Sequence, residues 1–234
     1  MGAVKERARR LVQRAALRWF FARLAWGYRV WGMEEVNRAL LRCRPAYVAD
    51  LLRRFGATVG EEHDLYAPLA IHNAFGTSRL GGYHNLRIGN GCHVGKDVFL
   101  DLMDRIEIGD RVTISMGVMI LTHTDVGRSP LRREAMPPTR APVVIKEGAY
   151  VGARATLLQG VTVGAAAVVA AGALVVDDVP PGAVVGGVPA RTLKPAAGVS
   201  TNQPSGSSKS SHRAAQVAAV SASEEHQSFE VARS

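Results

Sequence analysis

His123 stands among Thr122, Thr124 and Asp125 in the segment LTHTDVGRSPLRREAMPPTRAPVV, and two more acids, Asp101 and Asp104, lie upstream in VFLDLMD. Imidazole titrates near neutrality, at about pH 6.5 when unperturbed, so it can take a proton from a group that turns nucleophilic only as that proton leaves. A carboxylate on the other ring nitrogen would fix the tautomer. Asp101, Asp104 and Asp125 are all candidates; Asp101 and Asp104 could equally bind acceptor hydroxyls, or cap backbone N–H groups at a corner. Covalent catalysis has less to work with: there is no GxSxG elbow, and neither Cys43 nor Cys92 lies near this segment. The histidines and cysteines show no close metal-ligand spacing, so no metal is expected.

A lone loop histidine is usually solvated surface, and what gives His123 weight is its place in a repeat. Aliphatic residues recur every six positions: Ile88, Val94, Leu100; Ile108, Ile114, Ile120; then Ile145, Val151, Leu157, Val163, Val169, Val175. A helix has period 3.6 and a flat strand period 2, so neither produces this. A coil with three short flat sides does, if one aliphatic side chain per hexad points inward and glycine or a small polar residue turns the corner. Stacked coils bury their inner columns only as neighbours accumulate. Residues 65–85, with Ile71, read as a further, irregular coil. The rhythm breaks between Ile120 and Ile145, a protruding loop at about 122–143, and His123 opens it.

The run IGNGCHVG…IEIGDRVTIS…VVIKEGAYVGARATLLQGVTVGAAAVVAAGALVVDDVPPGAVVGGVPARTLK resembles the hexapeptide-repeat acyltransferases, in particular the maltose/galactoside O-acetyltransferase branch. The match covers about residues 85–194. It implies an all-β solenoid, a left-handed parallel β-helix against the usual right-handed crossover rule, working as a homotrimer. It also implies acetyl-CoA as co-substrate and His123 as the catalytic histidine at the head of the loop. The acceptor expected at class level is a hydroxyl of a saccharide or glycoconjugate, acetylated by direct transfer without an acyl-enzyme.

The resemblance carries cofactor contacts to Ala153, Ala171, Arg191 and Lys194, the last two suited to phosphate. Tyr150 stands where the family commonly has Trp. Where the family often has Thr-Lys after the last hexad, this chain has Val176-Asp177, and an acid there repels phosphate. The sugar-binding Asn of the galactoside branch aligns near Gly95-Lys96-Asp97, where no Asn exists, so a simple maltose or galactoside acceptor is not supported. Asp97 and Asn85 are the candidate substrate contacts, with Asn73, His72 and His84 as further polar groups.

The flanks differ from the middle. Residues 1–55 read as a basic, Trp-rich helical segment, residues 56–194 as the β-helix domain, and the Ser/Ala-rich 195–234 as a disordered tail. Most of the formal net charge of +9 sits in residues 1–32, where Lys5, Arg7, Arg9, Arg10, Arg14, Arg18, Arg23 and Arg29 face one acid, Glu6. Basicity confined to an appendage argues against nucleic acid as partner. Leu11, Ala15, Trp19, Ala22 and Trp26 share one helical face, which suits either a peripheral membrane contact or a cap on the end of the repeat. A second helical stretch is expected over about 34–54. Few cysteines, no long apolar run and no signal-like N-terminus give a cytoplasmic expectation, peripheral to a membrane if residues 1–32 touch one.

Other functions remain open on the same fold. A histidine base also serves N-acetylation of an amino sugar. A non-catalytic scaffold would leave His123 without a task. Zinc carbonic anhydrases share the fold, but His84, His93 and His123 lack the close spacing of such a site.

Overall fold

In the computed structural model, which describes residues 2–74, 81–130 and 136–195, each hexad is a short strand followed by a corner. The first coil comprises β1 (Thr58–Val59), β2 (Asp64–Leu65) and β3 (Leu69–His72). The second is β4 (Leu86–Ile88), β5 (His93–Val94) and β6 (Val98–Asp101), and the third β7 (Ile106–Ile108), β8 (Thr113–Ile114) and β9 (Met119–Ile120). A hairpin of β10 (His123–Thr124) and β11 (Thr139–Arg140) leaves the coil there. The fourth coil is β12 (Val143–Ile145), β13 (Tyr150–Val151) and β14 (Thr156–Leu157). The fifth is β15 (Thr162–Val163), β16 (Val168–Val169) and β17 (Leu174–Val175). A partial sixth turn contributes β18 (Val184–Gly186), and β19 (Arg191–Lys194) folds back antiparallel on it and ends the stack.

Parallel pairing makes three flat sides of a left-handed β-helix. On the first side Val59, Ile88, Ile108, Ile145 and Val163 lie one above another. On the second stand Leu65, Val94, Ile114, Val151, Val169 and Val185. On the third are Ile71, Leu100, Ile120, Leu157 and Val175. All of them are buried, and each contributes about 1.5–3 kcal/mol by leaving water.

The period of six follows from two corner constraints. At most corners the third residue after an inward aliphatic has positive φ: glycine at Gly91, Gly117, Gly148, Gly160, Gly172 and Gly182, but also Glu62, Asp97, Arg111, Arg154 and Ala166. The non-glycine cases each cost about 1 kcal/mol, which the pairing above and below outweighs. The glycine directly after the inward aliphatic answers a different need. A Cβ on Gly152 would lie 2.5 Å from the backbone nitrogen of Ala171, and one on Gly164 2.4 Å from that of Pro181.

Two features differ from the sequence expectation. The first coil begins at Thr58 and keeps hexad phase through Val59, Leu65 and Ile71, so it is a regular coil as far as His72. A second inward position also exists two residues before nearly every column residue. It is filled by small or branched side chains such as Val112, Val118, Ala149, Ala155, Val161, Ala167 and Ala173, which are 0–1% exposed.

Three helices precede the coils: α1 (Gly2–Trp31), α2 (Met33–Leu40) and α3 (Pro45–Arg54). The single stretch expected over 34–54 is two helices because Pro45 lacks an N–H and forces Arg44 out of the helical region, to φ −69° and ψ 144°. Val36, Leu40, Val48, Leu51 and Leu52 are fully buried, closing the apolar end that the first coil would otherwise expose. The tail expected over 195–234 lies, beyond residue 195, outside the described residues.

Candidate active site

The interruptions of the hexad rhythm in the first three coils occur at one edge, where the third side turns toward the first. A solenoid edge is a rigid base, and excursions from it can gather side chains from successive coils. Here the first coil presents Asn73, the second Asp101 to Asp104, and the third Thr122 and His123.

Asp101 is the hub of this edge and is 1% exposed. Its Oδ2 lies 2.5 Å from His123 Nδ1 and accepts the backbone N–H of Thr122 at 2.9 Å. Its Oδ1 accepts from Asn73 Nδ2 at 2.7 Å and from the Met103 N–H at 3.3 Å. The Thr122 hydroxyl donates to the Asp101 carbonyl at 2.7 Å and accepts the Asp104 N–H at 2.9 Å. Burial pushes the Asp101 carboxyl up, but hydrogen bonds from His123, Asn73 and Thr122 outweigh it, and the net value lies below the usual carboxylate range.

An ionised Asp101 can only accept, so the proton between the pair belongs to His123 Nδ1, and in the neutral ring this tautomer leaves the lone pair on Nε2. The His123 side chain is 24% exposed, so the ring is held from behind and open in front. That geometry suits a base taking a proton from a bound hydroxyl or amine. The hairpin carrying His123 is pinned from the fourth coil, where Gln159 Nε2 donates to Thr139 Oγ1 at 2.7 Å and to Thr124 Oγ1 at 3.4 Å.

Of the three acids open at the outset, geometry places Asp101 on the ring. The Asp104 carboxylate accepts the Arg105 N–H at 2.7 Å, and that of Asp125 accepts the Gly127 N–H at 2.8 Å, both local turn bonds. Asn85 donates to the Leu102 carbonyl at 3.0 Å and thereby ties the first excursion to the second coil. Asp97 sits at the other end of the third side, in a positive-φ corner.

Ala153 and Ala171 share that second edge, stacked through the Gly172 N–H on the Ala153 carbonyl at 2.8 Å. Tyr150 projects from the second side, 42% exposed. Arg191 and Lys194 are exposed on β19. Arg191 lines a hollow of about 370 Å³ together with Asp177, Asp178 and Val185, and the Asp178 carboxylate accepts the Thr162 N–H at 2.8 Å. Within one chain, then, His123 occupies one edge while Ala153, Ala171 and Asp97 occupy the next.

His84 lies over Gly56 and Gly82 near the helical end, and His93 lies against Tyr66, so His84, His93 and His123 are dispersed. Among the described residues no group of three or more His, Cys, Asp or Glu is placed to hold a metal ion.

Gln159 was missed from the sequence. Asn73, Thr122 and Gln159 all stand two residues after a third-side aliphatic (Ile71, Ile120 and Leu157), and that shared offset is the signal that would have found it.

Residues 85–122 and 142–176 match the hexapeptide repeat of succinyl-transferase. A 63-residue stretch is 52% identical to a 2,3,4,5-tetrahydropyridine-2,6-dicarboxylate N-acetyltransferase of Staphylococcus aureus, taking up 27% of this chain and 26% of that protein. The chain thus spans about a quarter of the length of the curated relatives it matches. A hexapeptide-repeat-containing acetyltransferase of Vibrio cholerae, solved with acetyl coenzyme A, superposes with a TM-score of 0.59 at 28% identity over 69% of this chain and 83% of that one. A galactoside acetyltransferase in complex with coenzyme A shares the fold, with a TM-score of 0.57 at 21% identity over 69% of this chain and 77% of its own.

Proposed function

We infer from a chain carrying the hexapeptide repeat, with an Asp-held histidine at the head of its loop, that it is an acetyl-CoA-dependent O-acetyltransferase acting on a saccharide or glycoconjugate hydroxyl. The observation that carries this reading is the 2.5 Å pairing of His123 Nδ1 with buried Asp101 on a ring whose side chain is 24% exposed.

His123 Nε2 takes the hydroxyl proton as the acceptor oxygen bonds to the acetyl carbonyl carbon. Charge passes to the carbonyl oxygen, which a backbone N–H can hold. Collapse re-forms the carbonyl and breaks the C–S bond, and the imidazolium returns its proton to the leaving sulfur. Asp101 stabilises that imidazolium and keeps the ring from turning. No side chain becomes acylated. Base catalysis of this kind contributes about 10²–10⁴-fold.

The small residues Ala153 and Ala171 leave an open edge along the coils for coenzyme A, and Arg191 and Lys194 offer cations to its phosphates, with Asp177 reducing that grip. These residues lie an edge away from His123 in the same chain, which supports a trimer in which one subunit's edge faces the next. A second reading has a specific observation behind it: the S. aureus relative is an N-acetyltransferase, and His123 would serve an amine equally well.

The test is thiol release from acetyl-CoA against a panel of sugars, amino sugars, sugar nucleotides and lipid-linked saccharides, with His123→Ala in parallel. Release needing both a hydroxyl acceptor and His123 supports the reading. Release only with amine acceptors selects N-acetylation. Release that survives His123→Ala removes the histidine from its role.

A further inference from the structure

The long first helix uses two opposite faces. One packs on the cap: Leu24 is buried, Phe20 lies 5.2 Å from Tyr47 between ring centres, and Tyr28 lies 5.0 Å from Phe55. At Gly27 the approach is so close that a Cβ would meet Glu35 Cγ at 2.8 Å. The demand for a cap is met by this face together with α2 and α3.

The other face has no such duty, yet it is apolar. Val12 is 68% exposed, Trp19 66%, Trp26 70% and Val30 55%. Their spacing of seven, seven and four keeps them on one stripe, with Ala15 and Ala22 between. A helix that only had to cap would show polar residues here, and a contiguous exposed apolar stripe of this kind marks a surface that something covers.

Charge says what covers it. Arg7, Arg18 and Arg29 are exposed and eleven residues apart, three turns each, so they line one flank of the stripe. Arg23 sits over the Trp19 ring at 6.0 Å. Arg29 also borders a cavity of about 780 Å³ with Arg53, Arg54 and His84, extending the positive surface toward the first coil. Glu6 is the one acid in residues 1–32. Tryptophan rings beside arginines fit the boundary between acyl chains and anionic headgroups. Among the described residues no helix is long and apolar enough to cross a bilayer, which leaves a helix lying on the surface.

We propose that α1 docks this chain on anionic membrane surfaces, seating Val12, Trp19, Trp26 and Val30 among the headgroups while Phe20, Leu24 and Tyr28 keep it attached to the β-helix. The site is separate from His123, so its test needs no acetyl transfer.

All three tryptophans lie on α1, which makes intrinsic fluorescence a direct reporter. With phosphatidylglycerol/phosphatidylcholine vesicles the full chain should cosediment and its emission should shift to the blue. Phosphatidylcholine alone should bind it at least tenfold more weakly, and added salt should weaken the anionic case. Trp19→Ser with Trp26→Ser should cut partitioning at least tenfold, and Arg18→Glu with Arg29→Glu should abolish the preference for anionic lipid. Circular dichroism melts of both pairs check that the fold persists, as exposure of these side chains predicts. Two results overturn the proposal. One is an emission spectrum unmoved by anionic vesicles at millimolar lipid. The other is a larger sedimenting mass in the absence of lipid that falls with the Trp19→Ser, Trp26→Ser pair, which would put a second copy of the chain on this face.

Discussion

Oδ2 of Asp101 and Nδ1 of His123 lie 2.5 Å apart although the residues are 22 positions apart in sequence, because each leaves its own coil at the same edge and the coils stack in register. The same carboxylate oxygen accepts the Thr122 N–H, so the hydrogen bonds that fix the hairpin's exit also fix the ring. Rigidity of the solenoid and orientation of the His123 ring are one network.

Asp101→Asn should separate the two jobs of that network. An amide has a similar shape and keeps one oxygen for Asn73 and the Met103 N–H, but its NH₂ in the place of Oδ2 turns a donor toward the Thr122 N–H, cannot balance an imidazolium, and favours the tautomer with Nε2 protonated. The expected result is a fall in kcat of about 10²–10⁴-fold, with little change in KM for acetyl-CoA. An Asn variant of near wild-type kcat would mean the carboxylate only positions. Asp101→Ala should in addition leave the Asn73 amide and the Met103 N–H without their acceptor, at about 1–3 kcal/mol each. The melting temperature of the Ala variant should therefore fall well below that of the Asn variant.

The same carboxyl gives an acid-side prediction. Its value in the folded protein is lowered because His123, Asn73 and Thr122 favour the ionised form more than burial opposes it. A lowered value contributes stability that is present above the unfolded value, about 3.9, and is lost as pH falls through the lower folded value. The melting temperature should therefore decline more steeply below about pH 4 in the wild type than in Asp101→Asn. Parallel acid limbs would show that Asp101 carries no share of that stability.

The β-helix makes unequal demands on its glycines. At Gly152 a Cβ would lie 2.5 Å from the next coil's backbone, which cannot move without breaking the ladder. Gly148 has φ +67° but open space around it, so alanine there meets only the left-handed strain of about 1 kcal/mol. Gly152→Ala should cost more, about 1–3 kcal/mol plus the shifted pairing, and melt several degrees lower than Gly148→Ala. Equal melting temperatures would remove the close-approach account of the Ile-Gly and Val-Gly dipeptides.

The columns of the coil were legible because the period of six is carried by large aliphatic residues that nothing else in a chain repeats. The inner second position was less so, since Ala149, Ala155 and Ala167 are small enough to look like filler. Position in the repeat also pointed to His123, but not to its partner. Asp101, Asp104 and Asp125 look alike as a sequence, and only the stacking of the second and third coils decides that Asp101 meets the ring while the other two bond to their own turns. The first helix stayed ambiguous for a similar reason. Its Phe and Trp residues both count as aromatic, and the structure separates them, with Phe20 and Phe21 turned inward and Trp19 and Trp26 outward.

Any assay that follows coenzyme A by its thiol requires the protein's own cysteines to stay silent, and both are placed to do so. Cys92 is 1% exposed, its Sγ lies 3.0 Å from the Gly109 carbonyl, and burial raises its thiol. Burial pushes Cys43 up to about 11. Since the thiolate is the reactive form, about one molecule in a thousand would present it at Cys43 at pH 8. Native protein at that pH should react with an aromatic disulfide reagent orders of magnitude more slowly than free coenzyme A. The residual rate should climb about tenfold per pH unit until close to pH 11. Denaturant should release both thiols at once, because an unfolded cysteine returns to its ordinary value near 8.5. A fast stoichiometric reaction of Cys43 at pH 8 in the folded state would mean that the contact between α1 and α2 opens far more readily than its packing implies, and the surface assigned to α1 would then have to be reconsidered with it.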